Sequence, residues 1–185
     1  MAWSGREWLS RRVTVRLARV EELAGLRDIE KEAGELFREI GMTAVFEHPP
    51  PPLHVFEDYQ RNGRAVVTVD REDRAVGFVL VKLIDGAAHV EQVSVHPSHA
   101  RRRLGQGLID YIDGWAVERG LPALTLTTFR SVAWNAPYYA RLGFRELSDL
   151  ELTPGLREVV EAETAIGLEP DERVCMYRET DGVTG

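Results

Sequence analysis

The chain has 185 residues, 44% of them apolar, enough for one domain with a full core and too few to expect two. A formal net charge of -7 argues against non-specific nucleic-acid binding, which needs a basic footprint, and leaves recognition of a cationic amine open. The single cysteine, Cys175, excludes an internal disulfide framework, and no run has transmembrane length or the apolar core of a signal peptide, so a cytoplasmic protein without membrane association is expected.

Residues 1–12 carry Trp3 and Trp8 without periodicity and read as a tail or short helix, which leaves 13–180 as one domain. Val13, Val15 and Leu17 alternate with polar neighbours, the pattern of a half-buried strand. Val20, Leu23, Leu26, Ala33, Phe37 and Ile40 fall near helical spacing; Gly41 supplies a stop, and Gly34 a place for a kink or break. The run from Glu47 through Pro52 suits neither helix nor central strand, because proline lacks a donor and fixes φ. A short helix over 55–61 ends at Asn62-Gly63.

Three strands follow, at 65–69, 75–83 and 87–96, with an acidic turn after the first and Asp85-Gly86 as a hairpin after the second. Leu104, Leu108, Ile112 and Trp115, flanked by Ile109 and Ala116, form the apolar stripe of a helix that Gly120 ends. The strand expected at 121–129 then implies a parallel crossover. Asn135 is placed to cap a helix that tolerates Pro137 early and ends at Gly143. A strand at 144–152, a helix opened by Thr153-Pro154 with Leu156, Val159, Val160 and Ile166 inward, and a last strand at 174–177 complete the chain. The fold class is α/β (α+β): a mixed, mostly antiparallel sheet with helices on both faces.

Chemistry concentrates around VSVHPSHARRRLGQGL, residues 93–108. Pro97 ends a strand, Gly105 and Gly107 remove side chains from a turn, and the first N–H groups of the next helix lack partners and attract anions. Arg101, Arg102 and Arg103 add positive charge there, so a diphosphate would fit. Alternation places His89, Glu91, Val93 and Val95 on one face of the incoming strand and Val90, Gln92 and Ser94 on the other. A carboxylate and an imidazole leading into an anion site suit acid-base work. Asn135 and Tyr139, four apart, share a helix face. Taken alone, the turn reads more readily as an ordinary strand-to-helix junction, and Asn135 with Tyr139 as a cap and a core aromatic.

Together these segments resemble the GNAT superfamily of N-acetyltransferases over roughly residues 66–144. Arg102, Gly105 and Gly107 match the Gln/Arg-x-x-Gly-x-Gly/Ala signature, and NAPYYARLGF from Asn135 is similar to its Asn-x-x-x-Tyr-x-x-Leu-Gly-Phe segment. The resemblance implies acetyl-CoA as cosubstrate and no metal. The pyrophosphate would lie on the backbone of Arg101, Arg102, Arg103, Leu104, Gly105, Gln106 and Gly107, with the pantetheine arm along Val93, Ser94 and Val95. It further implies an Asn135 contact to that arm, Tyr139 as acid for the departing thiolate, and Glu91, His89 or a water chain as base, with Glu91 preferred. The expected reaction is direct attack by the primary amine of a small molecule in a ternary complex. A protein N-terminal or lysine acceptor and a non-catalytic acyl-CoA sensor stay open. In this family the region corresponding to 47–54 often covers the acceptor, which brings in Phe46, His48 and His54, while Thr127, Thr128, Phe129 and Trp134 are further pocket candidates. The last helix and strand offer a surface for a homodimer, which nothing in the sequence requires. The turn lacks the Gly-Lys-Ser/Thr ending of a P-loop.

Overall fold

The computed structural model describes residues 14–181. The expected tail at 1–12, and Val13, lie outside the described residues. Seven strands are hydrogen-bonded in the order β1 (Thr14–Leu17), β2 (Ala65–Val69), β3 (Ala75–Ile84), β4 (Ala87–Val95), β5 (Ala123–Phe129), β7 (Arg173–Glu179) and β6 (Arg145–Glu146). β4 and β5 are parallel, whereas β1–β2, β5–β7 and β6–β7 are antiparallel, so the sheet is mixed as expected. Contacts divide the described residues into two compact units, one holding residues 14–79 with Val93–Leu108, the other Leu80–Gln92 with residues 109–181.

In the first unit, α1 (Leu23–Glu39) buries Leu23, Leu26 and Ile29, spaced to share one face. It runs unbroken through Gly34, so that glycine does not divide it, and Gly41 ends the segment at φ 81°. A further helix, α2 (Thr43–Glu47), extends to Glu47, which the sequence had assigned to the proline run; the prolines themselves stay outside helices. α3 (Leu53–Arg61) starts after Pro52 and buries Phe56 and Tyr59, with Phe56 edge-on to Phe78 at 5.7 Å. All five residues of β2 are buried. Gly77 in β3 permits a close approach to β4, because a Cβ there would lie 2.9 Å from Thr68 Cγ2 and 3.0 Å from the Ser94 carbonyl oxygen. The His96 N–H donates to the Val76 carbonyl at 2.9 Å and anchors the chain as it leaves β4.

In the second unit, Asp85 and Gly86 both take positive φ, 48° and 80°, as a two-residue hairpin of the I′ kind requires. α4 (Leu104–Glu118) opens in the first unit and continues here with Ile109, Ile112, Trp115 and Ala116 buried. The strand expected at 144–152 shrinks to β6, because Ser148 and Glu151 form a reciprocal cap around a 3-10 turn at Asp149–Glu151. α6 (Pro154–Ala165) is capped by Thr153 and by Asp85, whose Oδ2 accepts from the Gly155 N–H at 2.7 Å. Leu156 is buried as expected, but Ile166 follows the helix end and is 56% exposed rather than inward.

Candidate active site

The turn between β4 and α4 owes its shape to arginines rather than glycines. Arg101 and Arg103 adopt φ 62° and 59°, a region that costs a non-glycine residue about 1–2 kcal/mol. Gly105 and Gly107 instead lie in the first turn of α4 at ordinary φ, which corrects the expectation that they form the turn. Left-handed residues in such a turn direct successive N–H groups to one side, the geometry of an anion nest. α4's own ladder begins with the Gly107 N–H donating to the Arg103 carbonyl at 3.0 Å, so the N–H groups of Leu104, Gly105 and Gln106 have no partner within the helix. Arg101, Arg102 and Arg103 are exposed around them, and the apolar Leu104 is buried.

The approach to this turn is braced. His96 Nδ1 accepts the Ser98 backbone N–H at 3.2 Å and lies 2.7 Å from the Ser98 hydroxyl, so its ring proton belongs on Nε2, 2.7 Å from Glu32 on α1. An open groove of about 510 Å³ beside it is lined in part by Glu22, Glu32 and Asp73, which are already paired with Arg16, His96 and both Arg16 and Arg19 respectively. Ser94 is buried, and Val93 and Val95 are half-buried. The parallel register of β4 with β5 ends at Val90↔Leu126, whereas β5 continues to Phe129 against β7.

In the second unit the side chain of Glu91 is one third exposed, and its Oε1 lies 2.7 Å from Lys82 Nζ. His89 is 1% exposed, with Nδ1 3.0 Å from the Thr125 hydroxyl and Nε2 3.9 Å from Glu91 Oε2. Burial, helped by the Lys82 ammonium and opposed by Glu163, pulls the His89 imidazole down to about 4, so it is neutral at physiological pH. Counting out from the Asp85-Gly86 turn would have set Lys82 opposite His89 and diagonal to Glu91, two residues further on; sequence reasoning had the turn and missed the lysine.

Asn135 stands at the N-cap position of α5 (Ala136–Arg141), but its side chain makes no capping bond, contrary to expectation. Its Oδ1 accepts the Thr128 hydroxyl at 2.7 Å, and its Nδ2 is buried without a partner. The Tyr139 N–H donates to the Asn135 carbonyl at 3.0 Å, which fixes the two residues relative to each other. Tyr139 packs edge-on to Tyr138 and Phe144, and burial raises its phenol well above the usual range.

The other pocket candidates divide. Thr127 is bonded to Glu163 and Arg173, Phe129 lies under the Arg173 guanidinium at 4.6 Å, and Thr128 serves Asn135; all three have structural partners. Phe46 is half-buried with Arg38 over its ring, whereas His48, His54 and Trp134 are exposed. Cys175 is buried, and that burial pushes its thiol up to about 11, which makes it a packing residue rather than a nucleophile. Among the described residues no group of three or more His, Cys, Asp or Glu side chains could hold a metal ion, and no helix is long and apolar enough to cross a membrane.

The sequence model of the acetyltransferase (GNAT) family matches residues 26–144, and the chain belongs to that family. It is similar in fold to the ribosomal-protein-S18-alanine N-acetyltransferase from Escherichia coli, with TM-score 0.63 and 18% identity, covering 91% of this chain and 94% of that one. A PaiA N-acetyltransferase from Thermoplasma acidophilum in complex with coenzyme A gives TM-score 0.64 and 14% identity over 91% and 99%. A phosphinothricin acetyltransferase of the GNAT superfamily from Sinorhizobium meliloti, in complex with AcCoA, gives 0.65 and 16% over 94% and 91%.

Proposed function

We propose that residues 13–180 form one acetyl-CoA-dependent N-acetyltransferase domain that acts in the cytoplasm on the primary amine of a small molecule. The observation that carries this reading is the pair of left-handed arginines, Arg101 and Arg103, holding a nest at the start of α4 in a chain of this family. The nest and the N–H groups of Leu104, Gly105 and Gln106 suit a diphosphate, with Arg101, Arg102 and Arg103 as outer counter-charges and Gly107 keeping the first turn free of a Cβ. The main chain of Val93, Ser94 and Val95 would lie along the pantetheine arm, past the point where the β5 register ends. The orphan Nδ2 of Asn135 is a ready donor for an amide carbonyl of that arm. Bound acetyl-CoA supplies an activated acetyl thioester.

Glu91 acts as base, directly or through a water, and removes the proton that an ammonium must lose before its nitrogen can attack. Tyr139 stays protonated throughout the working range and can donate to the departing thiolate. Its raised pKa makes it a poor match for a thiol of pKa about 8.5, so it contributes less than the base. His89, buried and neutral, is a less suitable base than Glu91.

The test is a panel of small amines and short peptides with acetyl-CoA, following free thiol, beside calorimetric titration with CoA. Thiol release with small amines supports the reading. Release confined to peptides would move the acceptor to proteins, and tight CoA binding without release would leave a sensor.

A further inference from the structure

We propose that Lys82 is a self-acetylation site, its side-chain amine accepting an acetyl group from acetyl-CoA with Glu91 as base. The inference rests on the proposed reading of Glu91. Of the 23 Lys and Arg residues, the only lysines are Lys31 and Lys82. Among the described ion pairs, arginine or histidine supplies every cation except in one, Lys82 with Glu91. The difference is chemical. A guanidinium remains charged and inert in water, whereas an ammonium that loses one proton is a nucleophile. The chain therefore sets an acylable cation against its candidate base.

The geometry suits the step. Lys82 Nζ lies 2.7 Å from Glu91 Oε1, so the proton to be removed already points at its acceptor. The two side chains are 44% and 33% exposed, and a pair so open to water is weak and readily parted. His89 faces the other carboxylate oxygen at 3.9 Å and is neutral, with Glu163 the acidic group acting on it from α6, so His89 brings no second cation to Glu91. Glu91 lies two residues before Val93, along whose main chain the pantetheine arm of the cosubstrate is proposed to run.

In the step, Glu91 takes one proton from the Lys82 ammonium, and the freed lone pair attacks the thioester carbonyl carbon. The C–N bond forms and the C–S bond breaks. The nitrogen's second surplus proton ends on the departing sulfur, giving an Nε-acetyl-lysine and free CoA thiol. Acetylation removes the positive charge from position 82 and releases Glu91 Oε1 for the ammonium of an external acceptor. Turnover should then show a lag that preincubation with acetyl-CoA removes.

The experiment incubates the purified full chain with acetyl-CoA and no amine, then reads intact mass and maps peptides, with CoA titration and the amine panel run alongside. The expected result is one acetyl group on Lys82, little on Lys31, none at position 82 in Lys82→Arg, and a rate about 10²-fold lower in Glu91→Gln. An unmodified Lys82 in a protein that binds CoA and acetylates amines overturns the proposal and leaves the proposed function standing. So does acetylation of Lys31 and Lys82 at equal rates, or at the same rate in the heat-unfolded chain, since either is uncatalysed chemistry. A protein that binds no CoA takes the underlying reading down with it.

Discussion

Acidification tests the placement of His89 most sharply, because this side chain is sealed inside the fold beside the candidate base. Its imidazole titrates near 4 in the folded protein against 6.5 in an open chain, with burial as the main cause. The folded state thus resists a proton that the unfolded state takes up. Between pH 6.5 and 4 the unfolded chain binds more protons, so stability falls as pH falls; above 6.5 both states are neutral and the effect vanishes. The gap between the two values corresponds to about 3 kcal/mol once the pH is below both. That is a large share of the roughly 5–15 kcal/mol available to a typical domain. The comparison is His89→Asn, which can keep a polar contact to Thr125 and does not titrate. Urea unfolding of both proteins from pH 7.5 to 3.5 should give a wild-type-minus-variant difference that drops by about 3 kcal/mol across the window. Parallel curves would mean that His89 is not buried as a neutral ring, and the arrangement drawn around Glu91 would fail with it.

Glu30 should behave in the opposite sense: burial raises its carboxyl to about 7, so wild-type stability, relative to Glu30→Gln, is highest below 4.5 and declines by about 3 kcal/mol as pH rises through 7. Urea unfolding at pH 4 and 8 checks the sign. Gly77→Ala drives a methyl into Thr68 and the Ser94 carbonyl, and should cost about 1–3 kcal/mol, visible as a lowered Tm, while weakening CoA binding through displacement of β4. For a basic amine, Glu91→Gln should lower kcat/KM by about 10²- to 10⁴-fold and by more than Tyr139→Phe does. Wild-type turnover by Glu91→Gln from pH 6 to 9 would remove Glu91 from the mechanism.

The periodic parts of the fold were legible in the sequence. The meander, the α4 stripe and the parallel crossover rest on alternation, on helical spacing and on glycines at positive φ, signals carried by several residues at once. What escaped depended on tertiary context. Nothing about an arginine announces a left-handed φ, so the turn was credited to Gly105 and Gly107 when Arg101 and Arg103 make it. Asn135 has the composition of a cap, yet Thr128, on another element, claims its side chain. Strand position makes Glu91 a candidate, but its partner lies across the hairpin, and only pairing reveals that Lys82 holds it. The apolar run near 144–152 lost its strand to a local Ser148–Glu151 cap, a contest between local and sheet hydrogen bonds that alternation alone does not decide.

The most direct test of the central claim takes the best acceptor from the amine panel and counts free thiol against N-acetyl product in the same reaction. The account predicts thiol and product in equal amounts, both proportional to amine and continuing over many turnovers, with only a single further equivalent of thiol per protein from Lys82. Thiol release that ignores the amine, or CoA bound and never turned over with any amine, would contradict it.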